Sequence, residues 1–134
     1  WPEFAPQKQI LSHDAVGGFV THCGWNSCLE SLWFGVPMLA WPLYAEQHLN
    51  AAWMTDGEMG VAVALGTDRK SGNWAAAEEV ERRLRRLMEE GREAKARALR
   101  MKESGRRALQ DGGSSYLSLA RWAAEVGAPI AGRN

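Results

Sequence analysis

Residues 19–30 read Phe-Val-Thr-His-Cys-Gly-Trp-Asn-Ser-Cys-Leu-Glu, and this stretch constrains the fold more than any other. A strand-favouring run of one aromatic and two β-branched residues, Phe19-Val20-Thr21, stops at His22. Gly24 allows a tight turn, and helix-compatible residues open at Trp25. A strand that passes through a glycine turn into a helix leaves unpaired backbone N–H groups at the positive end of a dipole. Such a junction binds anions, most often phosphate. Here a histidine, an indole, an amide and a hydroxyl flank it, so several donors can converge on one anion.

The neighbouring segments repeat the pattern. Gln7 to His13 suits a short helix. A strand is expected at about 18–22 and a helix at about 25–34, with Leu29, Leu32 and Trp33 on one face and a stop at Gly35. Val36 to Trp41 reads as a second strand closed by Pro42. A helix over about 46–57 carries Leu49, Ala52 and Trp53 on one side, and Val61 to Leu65 reads as a third strand. Trp33, Trp41 and Trp53 are assigned to the core. Residues 66–74 read as an exposed loop. Two charged helices follow, the first with Val80, Leu84, Leu87 and Met88 at helical spacing, the second over about 92–110. Gly112-Gly113-Ser114-Ser115 breaks them, with the serines capping a last helix. Strands alternating with helices imply an α/β layer fold with a parallel sheet.

From Phe4 to Gln47 the chain reads FAPQKQILSHDAVGGFVTHCGWNSCLESLWFGVPMLAWPLYAEQ. This resembles the signature box of plant family 1 UDP-dependent glycosyltransferases. The likeness includes Ala5-Pro6-Gln7, Ile10 to His13, His22 to Ser27, Glu30, Gly35-Val36-Pro37, Pro42 and the closing Glu46-Gln47. Two positions depart from the pattern. The box commonly opens with Trp where this chain has Phe4, and Asp is commoner at Glu46.

The resemblance implies an α/β fold, the Rossmann-like C-terminal half of a GT-B glycosyltransferase, with an incomplete parallel sheet flanked by helices. On this reading residues 1–134 are a C-terminal fragment, a partial UDP-sugar-binding domain with its signature box at 4–47 and a helical part over about 75–127. The implied reaction moves glucose from UDP-glucose, with inversion, to a hydroxyl of a small lipophilic acceptor such as a flavonoid or other phenolic. The implied catalytic base, a His supported by an Asp, belongs to an N-terminal domain outside this stretch. That domain is the expected partner of the chain, besides UDP-sugar and acceptor.

The resemblance also distributes roles. Phe4 stacks on uracil beside the Ala5 backbone, and Gln7 lies near ribose or base. His22 meets the diphosphate and stabilises the leaving UDP. Gly24, Trp25, Asn26 and Ser27 surround the same phosphates. Glu30 accepts hydrogen bonds from the ribose hydroxyls. Tyr44, Glu46 and Gln47 approach the sugar, and Gln at the final position goes with glucose donors where His goes with galactose. The residues alone leave alternatives open. Ser27 and Glu30 stand in the S-x-x-E spacing of a capping box, in which Glu30 would cap its own helix. An acid such as Glu46 in a first helical turn is favoured by the dipole alone.

Charge narrows the class. Net charge is zero, but Lys8 is the one base among Glu3, Asp14, Glu30, Glu46, Asp56 and Glu58 in residues 1–60, whereas residues 78–107 are rich in Arg. An anion at the glycine turn must then be held by backbone N–H groups, the dipole, neutral donors and His22. The basic half lacks interleaved aromatics for stacking on bases, so it reads as solvated helices and no nucleic-acid partner is expected. Cys23 and Cys28 have neither CxxC nor zinc-finger spacing, which suits a reducing, cytoplasmic setting. No Asp-x-Asp motif occurs, and neither metal nor cofactor is expected. No apolar run reaches the length of a membrane span, so stable membrane insertion is not expected. Two other classes remain on the residues alone: a UDP-sugar-binding module without catalysis, and a sugar-nucleotide epimerase of GT-B architecture.

Overall fold

The computed structural model describes residues 5–67, 72 and 74–127. The elements run α1 (Gln7–Leu11), β1 (Phe19–Thr21), α2 (Trp25–Phe34), β2 (Met38–Ala40), α3 (Gln47–Thr55), β3 (Ala62–Ala64), α4 (Ala77–Arg85), a π-helical turn (Arg86–Glu90), α5 (Arg92–Leu109) and α6 (Ser114–Glu125). The chain divides into two compact units, residues 1–102 and 103–134.

In the first unit the three strands pair in parallel in the order β1-β2-β3. Thr21 is in register with Ala40, and Ala40 with Ala64. All three strands therefore end at one level, and the loops into α2 and α3 emerge side by side. β2 is the central strand and is buried on both faces, which explains its uninterrupted apolar run. Met38 and Ala40 point into a cluster with Cys23, Cys28, Ala51, Met54, Val61 and Ala98. Leu39 points the other way, onto Leu65 and Leu87, with Trp41, Val63 and Val80 packed against them.

The helix faces differ from the expected ones. The sequence places Leu29, Leu32 and Trp33 of α2, and Leu49, Ala52 and Trp53 of α3, against the core. Leu32 is half-buried and packs against the core cluster as expected, but the other five are exposed. The buried residues are Ser27, Cys28 and Ser31 on α2, and Gln47, Asn50, Ala51 and Met54 on α3. Small side chains let these helices lie close to the sheet, and the buried polar groups are hydrogen-bonded, as burial demands. Ser31 Oγ donates to the Val36 carbonyl at 2.7 Å, and α2 ends in a left-handed Gly35 (φ 70°). The N–H groups of Gly35 and Val36 return to the carbonyls of Leu32 and Ser31, the Schellman arrangement. Trp41 is half-buried as expected of a core residue. Trp33 and Trp53 are not core residues.

Several arginines of the charged helices form ion pairs along the helix. Arg83 Nε meets Glu79 at 2.8 Å, Arg85 meets Glu81 at 3.0 Å and Arg97 meets Glu93 at 2.6 Å. These are the i,i+4 pairs of a solvated helix face.

The second unit contains the end of α5 and α6. The turn between them uses a left-handed Gly112 (φ 80°) and brings Gly113 so near the Arg107 and Ala108 carbonyls that a Cβ there would clash. Gly113, not a serine, is the N-cap of α6, and no side chain caps that helix. Among the described residues no helix is long and apolar enough to cross a membrane. Part of the expected 66–74 loop lies outside the described residues.

Candidate functional site

The turn between β1 and α2 is built differently from its sequence reading. The left-handed residue is Cys23 (φ 64°), not Gly24, whose backbone is extended (φ −60°, ψ 143°). A non-glycine residue at positive φ is strained and persists only where its surroundings hold it. Here the Cys23 N–H donates to Thr21 Oγ1 at 3.2 Å, and Asn50 Nδ2 on α3 donates to the Cys23 carbonyl at 3.0 Å. The Cys23 side chain is fully buried beside Cys28. The hydrogen bond with Cys28 and burial both push the Cys23 thiol above its ordinary range. Both thiols are unpaired by disulfide.

Gly24 is required for space. A Cβ there would lie 2.4 Å from His22 Nε2, so the imidazole rests directly over Gly24. The first intrahelical bond of α2 runs from the Cys28 N–H to the Gly24 carbonyl, and no side chain caps the helix. The N–H groups of Trp25, Asn26 and Ser27 are thus open at the turn. The Trp25 indole is committed elsewhere. It stacks on Trp53 with ring centroids 6.2 Å apart and planes 15° apart, while its backbone N–H remains at the turn. Gly24→Ala is expected to leave stability nearly unchanged, since its φ and ψ suit alanine, while displacing His22. Its anion affinity should fall by roughly 1 kcal/mol, the net worth of one hydrogen bond. Paired melting and binding measurements check this, and a melting loss without an affinity loss would refute it.

Beside this turn lies an open cleft of about 760 Å³, lined by Ala5, Gln7, Lys8, His22, Asn26 and Glu30 among others. Ser27 lines it too. Helix α1 lies against α2, and Gln7 Nε2 donates to Glu30 at 2.8 Å and lies 3.4 Å from Ser27 Oγ. Glu30 does not cap its own helix. The N-cap is Gly24, so Ser27 and Glu30 sit too far into the helix for a capping box. Its carboxylate instead faces the cleft, oriented by Gln7 with Lys8 Nζ 3.8 Å away. Lys8 is the residue sequence reasoning missed. It is distant from the glycine turn along the chain, and α1 carries it to the same cleft. Positive groups (Lys8, the α2 dipole) and one carboxylate therefore share a single concave surface.

Tyr44, Glu46 and Gln47 form a second group, on the loop from β2 into α3. Tyr44 and Glu46 are exposed, while Gln47 is only 3% exposed. Its Oε1 accepts from the Leu43 and Tyr44 N–H groups at 2.9 and 3.1 Å, which holds a loop whose Ala45 is also left-handed (φ 51°). Phe4 lies outside the described residues.

A parallel α/β sheet with a helix N-terminus and a cleft beside the carboxyl end of β1 is an arrangement in which α/β proteins commonly bind nucleotides. The family model for UDP-glucoronosyl and UDP-glucosyl transferase matches residues 2–87. The chain belongs to this family. It is 57% identical over 125 residues to a malvidin galactosylase of Oryza sativa subsp. indica and 50% identical to a flavonol 3-O-glucosyltransferase of Arabidopsis thaliana, with 90% and 92% of this chain aligned. It spans 26% of the length of each. Among solved structures, it superposes on a UGT of Medicago truncatula complexed with UDP-glucose with a TM-score of 0.82 at 46% identity. That match covers 92% of this chain and 27% of the other. Against Phytolacca americana UGT2 complexed with UDP-2fluoro-glucose and pterostilbene the TM-score is 0.84 at 38% identity, covering 92% and 28%. The fold is accordingly the Rossmann-like α/β half of a GT-B glycosyltransferase.

Proposed function

We propose that this chain forms the donor site of an inverting UDP-glycosyltransferase that moves a sugar, glucose first among the candidates, to a hydroxyl of a small phenolic acceptor. The observation that carries this reading is the cleft itself. The Glu30 carboxylate, held by Gln7, lines one concave surface with His22, Asn26 and Ser27 at the uncapped start of α2, which supports ribose hydroxyls at the first and phosphates at the second. As the bond from the sugar to UDP breaks, negative charge grows on the β-phosphate oxygens. Fixed N–H donors aimed at that charge lower the barrier without reorganising. The proton of the acceptor hydroxyl goes to a base outside this cleft, in the longer enzyme that carries the chain. The acceptor class is supported by the flavonol and malvidin names of the relatives and by the pterostilbene in the Phytolacca complex. A reducing, cytoplasmic setting suits the two buried, unpaired thiols.

Gln47 bears on the choice of sugar, its amide N–H groups meeting a hydroxyl while its carbonyl oxygen holds the loop. Glucose and galactose differ in one hydroxyl, and a pocket that pairs one epimer leaves a polar group unpaired with the other, at about 1–3 kcal/mol. The galactosylase relative supports UDP-galactose as the second reading. An enzyme carrying this chain is expected to prefer UDP-glucose by at least roughly tenfold in kcat/KM, which is ~1.4 kcal/mol. A donor competition assay reads this directly. Preference for UDP-galactose would transfer the assignment to the second reading, and failure of the chain to bind UDP in calorimetry would remove the donor site altogether.

A further inference from the structure

The donor turn is strained, and the group that holds it comes from a different helix. We infer that Asn50 is a positioning residue for diphosphate binding, acting through the carbonyl of Cys23; this rests on the donor-site reading above. Asn50 is 7% exposed and lies on the inner face of α3, three residues after Gln47. Its side chain reaches across to the turn after β1 and donates to the Cys23 carbonyl at 3.0 Å. Cys23 carries the positive φ that swings the chain from the end of β1 into α2. The peptide bond that begins at this carbonyl ends in the Gly24 N–H, so fixing the carbonyl fixes the plane of the first peptide of the turn. Thr21 Oγ1 holds the N–H side of the same residue. The two hydrogen bonds clamp Cys23 from both sides, and the clamp aims the open N–H groups of α2 and seats the His22 ring over Gly24.

A second polar contact from the same face of α3 supports this reading. Gln47 secures the neighbouring loop, through the Leu43 and Tyr44 N–H groups, where Ala45 is, among the described residues, the other non-glycine residue at positive φ. One buried helix edge thus restrains both loops that leave the carboxyl ends of β1 and β2. A buried amide with no task but packing would be replaceable by an apolar side chain of similar size. One that restrains a strained peptide is not.

The test compares UDP with uridine, which lacks the phosphates. Calorimetry on the wild-type chain and on Asn50→Ala and Thr21→Val gives the ratio of the two affinities, and thermal melts report folding. If Asn50 orients the phosphate donors, Asn50→Ala lowers UDP affinity about tenfold and changes uridine affinity less than twofold, so the ratio collapses. Thr21→Val keeps a β-branched residue in the strand and removes the other arm of the clamp. It should lower the ratio in the same direction, and it decides the matter should Asn50→Ala fail to fold. A folded Asn50→Ala variant with the wild-type ratio overturns the inference, as does Thr21→Val with an unchanged ratio, even where melting temperatures fall. A wild-type chain that binds uridine and UDP equally defeats the donor-site reading instead, so the two failures are distinct.

Discussion

Met38→Ala should destabilise the first unit by about 2–5 kcal/mol, the range for truncating a buried methionine or leucine to alanine. Met38 is fully buried on the central strand, in the cluster with Cys28, Met54, Val61 and Ala98. Its loss opens a cavity between the sheet and the helices that cover it. The whole stability of a domain is only about 5–15 kcal/mol, so the upper end of this range abolishes folding. Trp53→Ala is the informative control. A tryptophan of α3 reads from sequence as core, yet Trp53 is 57% exposed with Trp25 as its stacking partner. Its loss should cost on the order of 1 kcal/mol, the worth of one aromatic pair. Urea unfolding of both variants settles the order. If Trp53→Ala costs more than Met38→Ala, the assignment of the inner faces is wrong.

Glu30→Ala should weaken UDP binding by roughly 1.5–3 kcal/mol, the range for hydrogen bonds to a charged group. The structure sharpens this expectation. Glu30 does not cap α2, so the variant should not show the ~1 kcal/mol stability loss of a damaged cap. Its carboxylate is held at 2.8 Å by Gln7 and faces the cleft. The donor-site reading also makes the effect specific to ribose. Uridine should lose as much affinity as UDP, and 2′-deoxy-UDP should bind the wild-type chain weakly and gain little further loss in Glu30→Ala. Calorimetry with the three ligands measures all of this. Wild-type UDP affinity in the variant, together with a lower melting temperature, would return Glu30 to a structural role.

Glu30 and Asn50 contrast in how legible they were. Glu30 stands in a recognisable box, and the position of the N-cap removes the capping-box alternative for it. Asn50 stands just outside the box, and nothing in its neighbours signals that it would reach the turn after β1. Lys8 is similar. Its distance along the chain from His22 concealed a shared cleft that only the docking of α1 on α2 creates.

The strand–turn–helix order, the α2 limits at Trp25 and Phe34 and its stop at Gly35 were all set by local chemistry: short apolar runs bounded by turn residues, glycine at a left-handed position, helical spacing. Local rules act between residues close in the chain, so a sequence displays them directly. Which helix face turns inward was decided by tertiary structure. Hydrophobic spacing favoured Leu29, Trp33, Leu49 and Trp53, but the sheet accepted Ser27, Cys28, Ser31, Gln47 and Asn50. The reason is close packing combined with hydrogen bonding. Small residues allow near approach, and a buried amide or hydroxyl is tolerated when a distant backbone carbonyl or N–H meets it. Those partners, the Cys23 carbonyl for Asn50 and the Leu43 and Tyr44 N–H groups for Gln47, exist only once the strands are aligned. The same alignment makes Cys23 rather than Gly24 the left-handed residue of the turn, because the clamp from Thr21 and Asn50 stabilises a conformation that the cysteine alone would avoid.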